Sequence, residues 1–88
     1  MSTKLIVDVS LGQFLRTQRL SKGYTQVDVV RLAHLLGSNM SESTYSKIEQ
    51  GKRNIFMTDF VILKVILNFS YDSVFQEFEN SLDIDLIR

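Results

Sequence analysis

The stretch from Ser41 to Arg53 restricts the fold of this chain more than any other part of it. Ser41 can cap the first free N–H groups of a helix, and Gly51 can adopt the left-handed conformation that ends one. The helix between them would have about two and a half turns, with Tyr45 and Ile48 on the same face. A helix this short, with one thin apolar stripe, is unstable alone. We therefore expect it to dock on other helices and to leave its polar face exposed.

Composition excludes several kinds of site. With 88 residues, the chain is long enough for one domain with one core. It has no cysteine, which excludes disulfides and thiolate metal sites, and its single histidine, His34, excludes a multi-histidine site. No apolar run approaches the roughly 20 residues of a membrane-spanning helix, and the N-terminus lacks a signal-peptide pattern. These features predict a soluble cytoplasmic protein without metal or cofactor.

No enzymatic motif is present. The sequence contains no phosphate-binding loop, no nucleophile with a base at motif spacing, and no carboxylate pair in an apolar setting. Asp83 and Asp85, near the end of the chain, are interpreted as solubilising charges. We predict that the protein is not an enzyme.

Charge is unevenly distributed although the net charge is zero. Residues 16–53 contain seven basic and three acidic residues, a local balance of +4, whereas residues 59–88 contain two basic and six acidic residues, a balance of −4. Because salt screens charges beyond about 8 to 10 Å, the local sign matters more than the total when a phosphate is nearby. The basic segment therefore permits a polyanionic partner.

The rest of the chain predicts four more helices, and so an all-α fold of five helices with short terminal β-strands. Periodicity and capping residues predict helices over 11–22 (capped by Ser10), from Thr25 to Gly37, over 59–67 (capped by Thr58) and over 71–80 (capped by Ser70). Leu36, Phe75 and Phe78 are expected to face inward. Alternating apolar residues predict strands over 4–9 (Leu5, Val7 and Val9 on one face) and 82–86 (Leu82, Ile84 and Leu86). The predicted organisation is an N-terminal extension (1–9), a helical domain (10–80) and a C-terminal tail (81–88).

Residues 11 to 75 resemble the helix-turn-helix domain of the Cro/repressor-like, or XRE-like, transcriptional regulators. The matching positions are Leu11-Gly12, Arg16, Arg19, Gly23-Tyr24-Thr25-Gln26, the run from Ser43 to Arg53, and Leu67 through Val74. The run Ser-Thr-x-Ser-Lys-Ile-Glu-x-Gly-Lys-Arg is a fairly specific signal, and the resemblance covers about three quarters of the chain. It implies a five-helix Cro/repressor-like fold and DNA binding.

The chain departs from the family pattern at four points. Gln26 and Glu49 are 23 residues apart, about five more than in shorter members, so helix 2 or its turn is longer, as in a known subgroup. Tyr45 replaces an aliphatic residue and Val30 an alanine. Glu42 stands where many relatives have a basic or polar residue, which affects any inferred base preference.

The resemblance also implies roles for individual residues. Helix 42–50 would enter the major groove, and Arg19 and Glu49 would form a buried ion pair tying helix 1 to helix 3. Gln26, Lys52 and Arg53 would contact phosphates, and Thr44 and Lys47 would contact bases. The DNA-binding residues expected on this basis are Gln26, Ser41, Glu42, Ser43, Thr44, Ser46, Lys47, Lys52 and Arg53.

Each assignment has an alternative. Residues 41–46 can serve only as a helix cap and a solvated face, and Lys52-Arg53 can be an ordinary solvated pair.

We predict a sequence-specific regulator of transcription, a repressor acting as a homodimer on double-stranded DNA. The alternative is a protein-interaction module or antitoxin of the same fold that binds a partner protein. The neutral net charge and Glu42 favour this alternative, whereas the +4 segment favours DNA.

Overall fold

Five helices make up the all-α fold that the sequence predicts, in a computed structural model that describes residues 4–5 and 8–87. The helices are α1 (Val9–Ser21), α2 (Gln26–Leu35), α3 (Glu42–Glu49), α4 (Met57–Leu67) and α5 (Tyr71–Asn80). Two short segments, β1 (Lys4–Leu5) and β2 (Ile55–Phe56), pair antiparallel, and a 3-10 turn follows at Ile84–Ile87.

The core is formed by apolar side chains from all five helices and from β2. Its buried members are Leu11, Leu15, Val29, Val30, Ala33, Met40, Tyr45, Ile48, Ile55, Phe60, Leu63, Leu67, Phe69 and Val74. From α3, Tyr45 is 0% and Ile48 is 1% exposed. Burial of a large apolar side chain contributes about 1.5 to 3 kcal/mol, so docking on α1 and α2 supplies the stability that the short α3 lacks. The docking expected from the sequence is confirmed.

Two predicted helix starts are wrong. Helix α1 begins at Val9 and is capped by Asp8, whose carboxylate accepts a hydrogen bond from the Leu11 amide at 2.9 Å, so Ser10 lies inside the helix. An aspartate at this position also interacts favourably with the helix dipole. Helix α4 begins at Met57, because β2 leads directly into it with extended backbone at Phe56, so Thr58 lies in its first turn and is not its cap. The other predicted caps, Thr25, Ser41 and Ser70, are confirmed.

The predicted terminal strands have different outcomes. Lys4–Leu5 is a strand, and it pairs within the chain, with Lys4 opposite Phe56 and Leu5 opposite Ile55. Residues 6 and 7 lie outside the described residues, and Val9 is helical. The predicted strand at 82–86 is wrong, because the backbone turns at Ile84–Ile87 with a hydrogen bond from the Leu86 amide to the Asp83 carbonyl. Alternating apolar residues do not form a strand where no partner strand lies alongside.

Two side chains expected to face inward are exposed. Leu36 is 50% exposed because it follows the last residue of α2 and the chain turns away there. Phe75 is 66% exposed, whereas Val74 is buried and Phe78 is half-buried. Helix α5 therefore contacts the core along only one edge of its apolar side.

The connection between α2 and α3 is ordered by local hydrogen bonds. It begins at Leu36, and Gly37 has a φ of +97°. The buried Ser38 hydroxyl accepts from the Met40 amide at 3.1 Å. The His34 ring nitrogen Nε2 lies 2.6 Å from the Met40 carbonyl oxygen. Because a carbonyl oxygen only accepts, Nε2 is the donor of this hydrogen bond. This turn holds the start of α3 in a defined position relative to α2.

Candidate nucleic-acid interface

The polar face of α3 is exposed, as the sequence predicts. Glu42, Ser43 and Lys47 are exposed, while Thr44 and Ser46 are half-buried. The Ser41 hydroxyl accepts from the Thr44 amide at 3.1 Å and lies 3.0 Å from the Thr44 hydroxyl. The predicted residues of α3 therefore lie together on the polar side of a docked helix.

A buried ion pair joins α1 to the end of α3. The Arg19 guanidinium donates from Nε to Glu49 Oε2 at 2.7 Å and from Nη2 to Glu49 Oε1 at 3.0 Å. Its Nη1 donates to the Tyr24 carbonyl at 3.0 Å. The predicted pair is therefore present, and its two-bond geometry orients both side chains and ties α1 to the end of α3.

The charges of this pair and its surroundings shift three pKa values. Hydrogen bonding to Glu49 raises the pKa of Arg19. Burial by itself would raise the pKa of Glu49, but the donors around its carboxylate, first among them Arg19, outweigh burial and lower it. Burial, and then the nearby Glu49 carboxylate, raise the pKa of Tyr45, whose hydroxyl has no hydrogen-bond partner of normal geometry within the described residues. The pair is therefore fully charged at neutral pH and Tyr45 is neutral.

Gly12 allows α1 to cross α3 closely. A Cβ atom built on Gly12 would lie 2.4 Å from the Glu49 carbonyl oxygen and 2.7 Å from the Ile48 carbonyl oxygen. No side chain fits between the two backbones at this crossing. The sequence pattern contains Gly12, but only the structure shows that the end of α3 rests on it.

Gln26 is hydrogen-bonded to the same ion pair. Its amide nitrogen donates to Glu49 Oε1 at 3.1 Å, across 23 residues of sequence. This bond keeps the start of α2 in contact with the end of α3. Gln26 is half-buried, and its amide nitrogen is bonded to Glu49.

Lys52 and Arg53 follow α3 directly and are exposed. Gly51 has a φ of +74°, and the Lys52 amide donates to the Lys47 carbonyl at 2.9 Å, which completes a Schellman C-cap. The cap reverses the chain, so both cations lie beside the last turn of α3. The helix end predicted at Gly51 is confirmed.

Gln50 belongs to the polar face of α3 but was not among the residues chosen from the sequence. It is exposed, and its amide nitrogen donates to the Ser46 hydroxyl at 3.0 Å. Its spacing of seven from Ser43 and four from Ser46 places all three on one helix face. That spacing is the signal that could have identified it.

Other classes of site find no support in the part of the chain that the structure describes. Within residues 4–5 and 8–87, no three His, Cys, Asp or Glu side chains are grouped to hold a metal ion. None of the helices in these residues is long and apolar enough to cross a membrane.

One comparison with known proteins matches this chain. A family model described as a helix-turn-helix domain matches residues 10–72. No curated protein and no solved structure matches the chain significantly. The matched residues cover more than two thirds of the chain and include α1 apart from its first residue, together with all of α2, α3 and α4.

Proposed function

Because the chain belongs to the helix-turn-helix family of the Cro and XRE-like type, we propose that it is a sequence-specific DNA-binding regulator that inserts α3 into the major groove. The observation that carries this proposal is the exposed polar face of α3 on a helix anchored by the Arg19–Glu49 pair. The B-DNA major groove is about 12 Å wide and admits one helix. A helix held rigidly can present the same side chains to every site, as sequence readout requires.

The polar residues around α3 would divide into two roles. Thr44 and Lys47 would contact base edges, because they lie on the face of the inserted helix. Lys52, Arg53 and Gln26 would contact phosphates, which fix position without reading sequence. Ser41, Glu42, Ser43 and Ser46 complete the proposed contact set.

We propose that the protein acts in the cytoplasm as a homodimer and as a repressor. One inserted helix covers only a few base pairs, and two copies on an inverted repeat would read half-sites about one helical turn apart. The exposed side chains of Phe75 and Leu82, both 66% exposed, supply apolar surface for self-association. A protein bound in the groove excludes other proteins from the same site, and repression follows from this exclusion.

The second candidate function is binding of a partner protein, as by an antitoxin. The same exposed apolar surface, on α5 and just after it, favours this function, because such surface suits any protein contact. Co-purification with a second protein bound at α5, together with absent DNA binding, would favour this candidate over the first.

Selection of bound sequences from a random duplex pool, followed by salt titration of the best site, tests the main proposal. The logarithm of affinity should fall linearly with the logarithm of salt concentration, with a slope of roughly 0.9 for each phosphate contact. A matched variant is Lys64→Ala, which removes a cation beside Tyr71 on the far helices and should leave the slope unchanged. No binding to any pool at low salt, or a flat response to salt, would reject the DNA proposal.

A further inference from the structure

The start of the chain lies beside the loop that follows α3. Strand β1 pairs antiparallel with β2 and thereby contacts the residues just after this loop. Continuing the register of that pair along the chain places Val9 opposite Gly51, at the end of α3. A Cβ atom built on Gly51 would lie 2.7 Å from the Val9 Cα atom and 2.9 Å from the Asp8 carbonyl carbon, so the two backbones touch. The residues before α1 therefore contact the loop at both of its ends.

The loop between these two contacts carries the cations that follow α3. It consists of Lys52, Arg53 and Asn54, whose side chains are all exposed. The α3 C-cap holds it at one end, and the buried Ile55 anchors it at the other. Ordering a backbone costs conformational entropy, and a loop that is already fixed loses less of this entropy when it binds a partner. A contact that fixes this loop therefore favours any binding made through its side chains.

The segment before α1 lies outside the domain that the family model matches, which begins at residue 10. The helices are joined to each other without it, by the close crossing at Gly12 and by the Arg19–Glu49 pair. The backbone pairing of β1 is made with β2, at the end of the loop. Its position thus relates it to the loop more directly than to the packing of α1 on α3.

From these contacts we infer that β1 and residues 8–9 form a brace that holds Lys52 and Arg53 in position for the phosphates of DNA. The inference rests on the proposed function, which assigns these two cations to phosphates. It adds Lys4 and Leu5 as positioning residues, which act through the backbone of β2. A strand pair this short is marginal by itself, so DNA binding and the pairing of the brace should strengthen each other.

Prolines in β1 test the brace in the full chain. Opposite residues of an antiparallel pair exchange hydrogen bonds only at alternate positions, and proline lacks the N–H group, so the double variant Lys4→Pro/Leu5→Pro removes the bond from either position. It should weaken binding to the selected duplex about tenfold, as expected if roughly one residue must be ordered again on binding. Every sequence should be affected alike, because phosphate contacts carry no sequence information.

Two variants serve as matched controls for the prolines. Ser2→Pro/Thr3→Pro places the same residues before the strand, and Lys4→Ala removes the charge while keeping the backbone N–H group. Both should bind DNA as the wild type does. If Lys4→Ala weakens binding as much as the prolines do, the side-chain charge and not the pairing of β1 matters, and the inference is overturned.

A protein without the loop cations separates positioning from a general loss of structure. In the background Lys52→Ala/Arg53→Ala, the two prolines should cost no further affinity, because the brace acts through these side chains. Unfolding curves of all variants are measured beside the binding data. A tenfold loss that persists in this background would overturn the inference.

A disulfide that fixes the brace makes the opposite change. Lys4 and Phe56 lie opposite each other, and such Cα atoms are about 4.5 to 5.5 Å apart, within the range that a disulfide spans. The chain has no cysteine of its own, so oxidation of Lys4→Cys/Phe56→Cys forms a single bridge. The oxidised form should bind DNA at least as tightly as the reduced form. Binding that is lost on oxidation would mean that β1 must leave β2, which overturns the inference.

Hydrogen exchange measures the reciprocal effect of DNA on the brace. Saturating duplex should slow the exchange of the β1 amides, because the bound state favours the paired strand. If a wild type that binds DNA keeps its affinity with the prolines in place, or if duplex leaves this exchange unchanged, the inference is overturned while the proposed function stands. If the wild type binds no DNA, both are overturned.

Discussion

Arg19 and Glu49 are joined by two hydrogen bonds across 30 residues of sequence, one from Nε at 2.7 Å and one from Nη2 at 3.0 Å. Their side chains are only 9% and 2% exposed. Removing one partner therefore leaves the other charge buried without compensation, a change that costs roughly 3 to 5 kcal/mol. That is a large part of the stability of a small domain.

We expect Arg19→Ala to lower the free energy of unfolding by about this amount, measured by urea denaturation. The matched control is Arg16→Ala, an exposed residue one turn earlier on α1, which should change stability by less than about 0.5 kcal/mol. Equal unfolding midpoints for Arg19→Ala and the wild type would contradict a stabilising role for the pair.

The pH dependence of stability should reveal Glu49. Its pKa is lowered in the folded protein, relative to about 4.3 in an unfolded chain. The stability that the ionised Glu49 carboxylate contributes is therefore fully present above its unfolded pKa. It is lost as the pH falls through its folded pKa. The difference in unfolding free energy between wild type and Glu49→Gln should shrink as the pH falls below about 4. The capping carboxylate of Asp28 also has a lowered pKa, because it accepts hydrogen bonds from Thr25. The variant Asp28→Asn therefore serves as a parallel control. A difference that stays constant from pH 7 to pH 2 would contradict the assignment to Glu49.

Gly12 and Gly23 should respond differently to alanine. At Gly12 a Cβ meets backbone atoms of α3 at 2.4 Å, so Gly12→Ala must separate α1 from α3, and we expect a loss of more than about 3 kcal/mol. Gly23 has a φ of +74° but open space around its Cβ position, so Gly23→Ala should cost only about 1 to 2 kcal/mol. Thermal unfolding of both variants checks the order. The crossing of α1 and α3 would be looser than described if Gly12→Ala were the milder change.

Lys47 and Lys52 should affect DNA binding in different ways. Lys47 lies on the proposed base-reading face of α3, and Lys52 lies beyond the helix end. Across a panel of duplexes, Lys47→Ala should change the ranking of sites, whereas Lys52→Ala should weaken all of them alike and reduce the salt slope by about 0.9. Lys64→Ala serves as the charge-matched control. The division between reading and positioning would be wrong if both variants gave the same pattern across the panel.

The exposed stripe of α5 should hold two copies together. Tyr71 and Phe75 are exposed at a spacing of four, which places them on one face of α5, and Leu82, just beyond the helix end, is exposed as well. Phe75→Asp should shift the protein to monomer in sedimentation and weaken binding to an inverted repeat more than to a half-site. Leu35→Asp, at a residue 78% exposed on α2, is the control and should leave self-association unchanged. An unaltered dimer of Phe75→Asp would place the interface elsewhere, and truncation after Asn80 would then show whether the tail is required.

Local patterns in the sequence were sufficient to predict most helices. The caps at Thr25, Ser41 and Ser70 and the left-handed Gly51 are signals set by a few neighbouring residues, and the structure confirms each of them. Capping depends on backbone groups within three or four residues, so it survives without knowledge of the fold.

Features that depend on a distant neighbour were predicted less well. The tail at 82–86 alternates like a strand but turns into a 3-10 helix at Ile84–Ile87, because no strand among the described residues lies beside it. Helix α4 starts two residues earlier than its local capping signal indicates, because β2, paired with β1, leads directly into it. Phe75 has the spacing of a core residue on α5, yet the described core stops at Val74 and Phe78.

The sequence by itself therefore determined the helical class, the polar composition of α3 and the identity of its ion pair, the last through resemblance to a family. Tertiary structure decided how these parts meet: Gly12 beneath the end of α3, Gln26 bonded to Glu49, and β1 paired with β2 beside the loop after α3. Short-range hydrogen bonds and periodicity are written in adjacent residues, whereas a close crossing or a strand pair exists only once segments far apart in the chain have packed together.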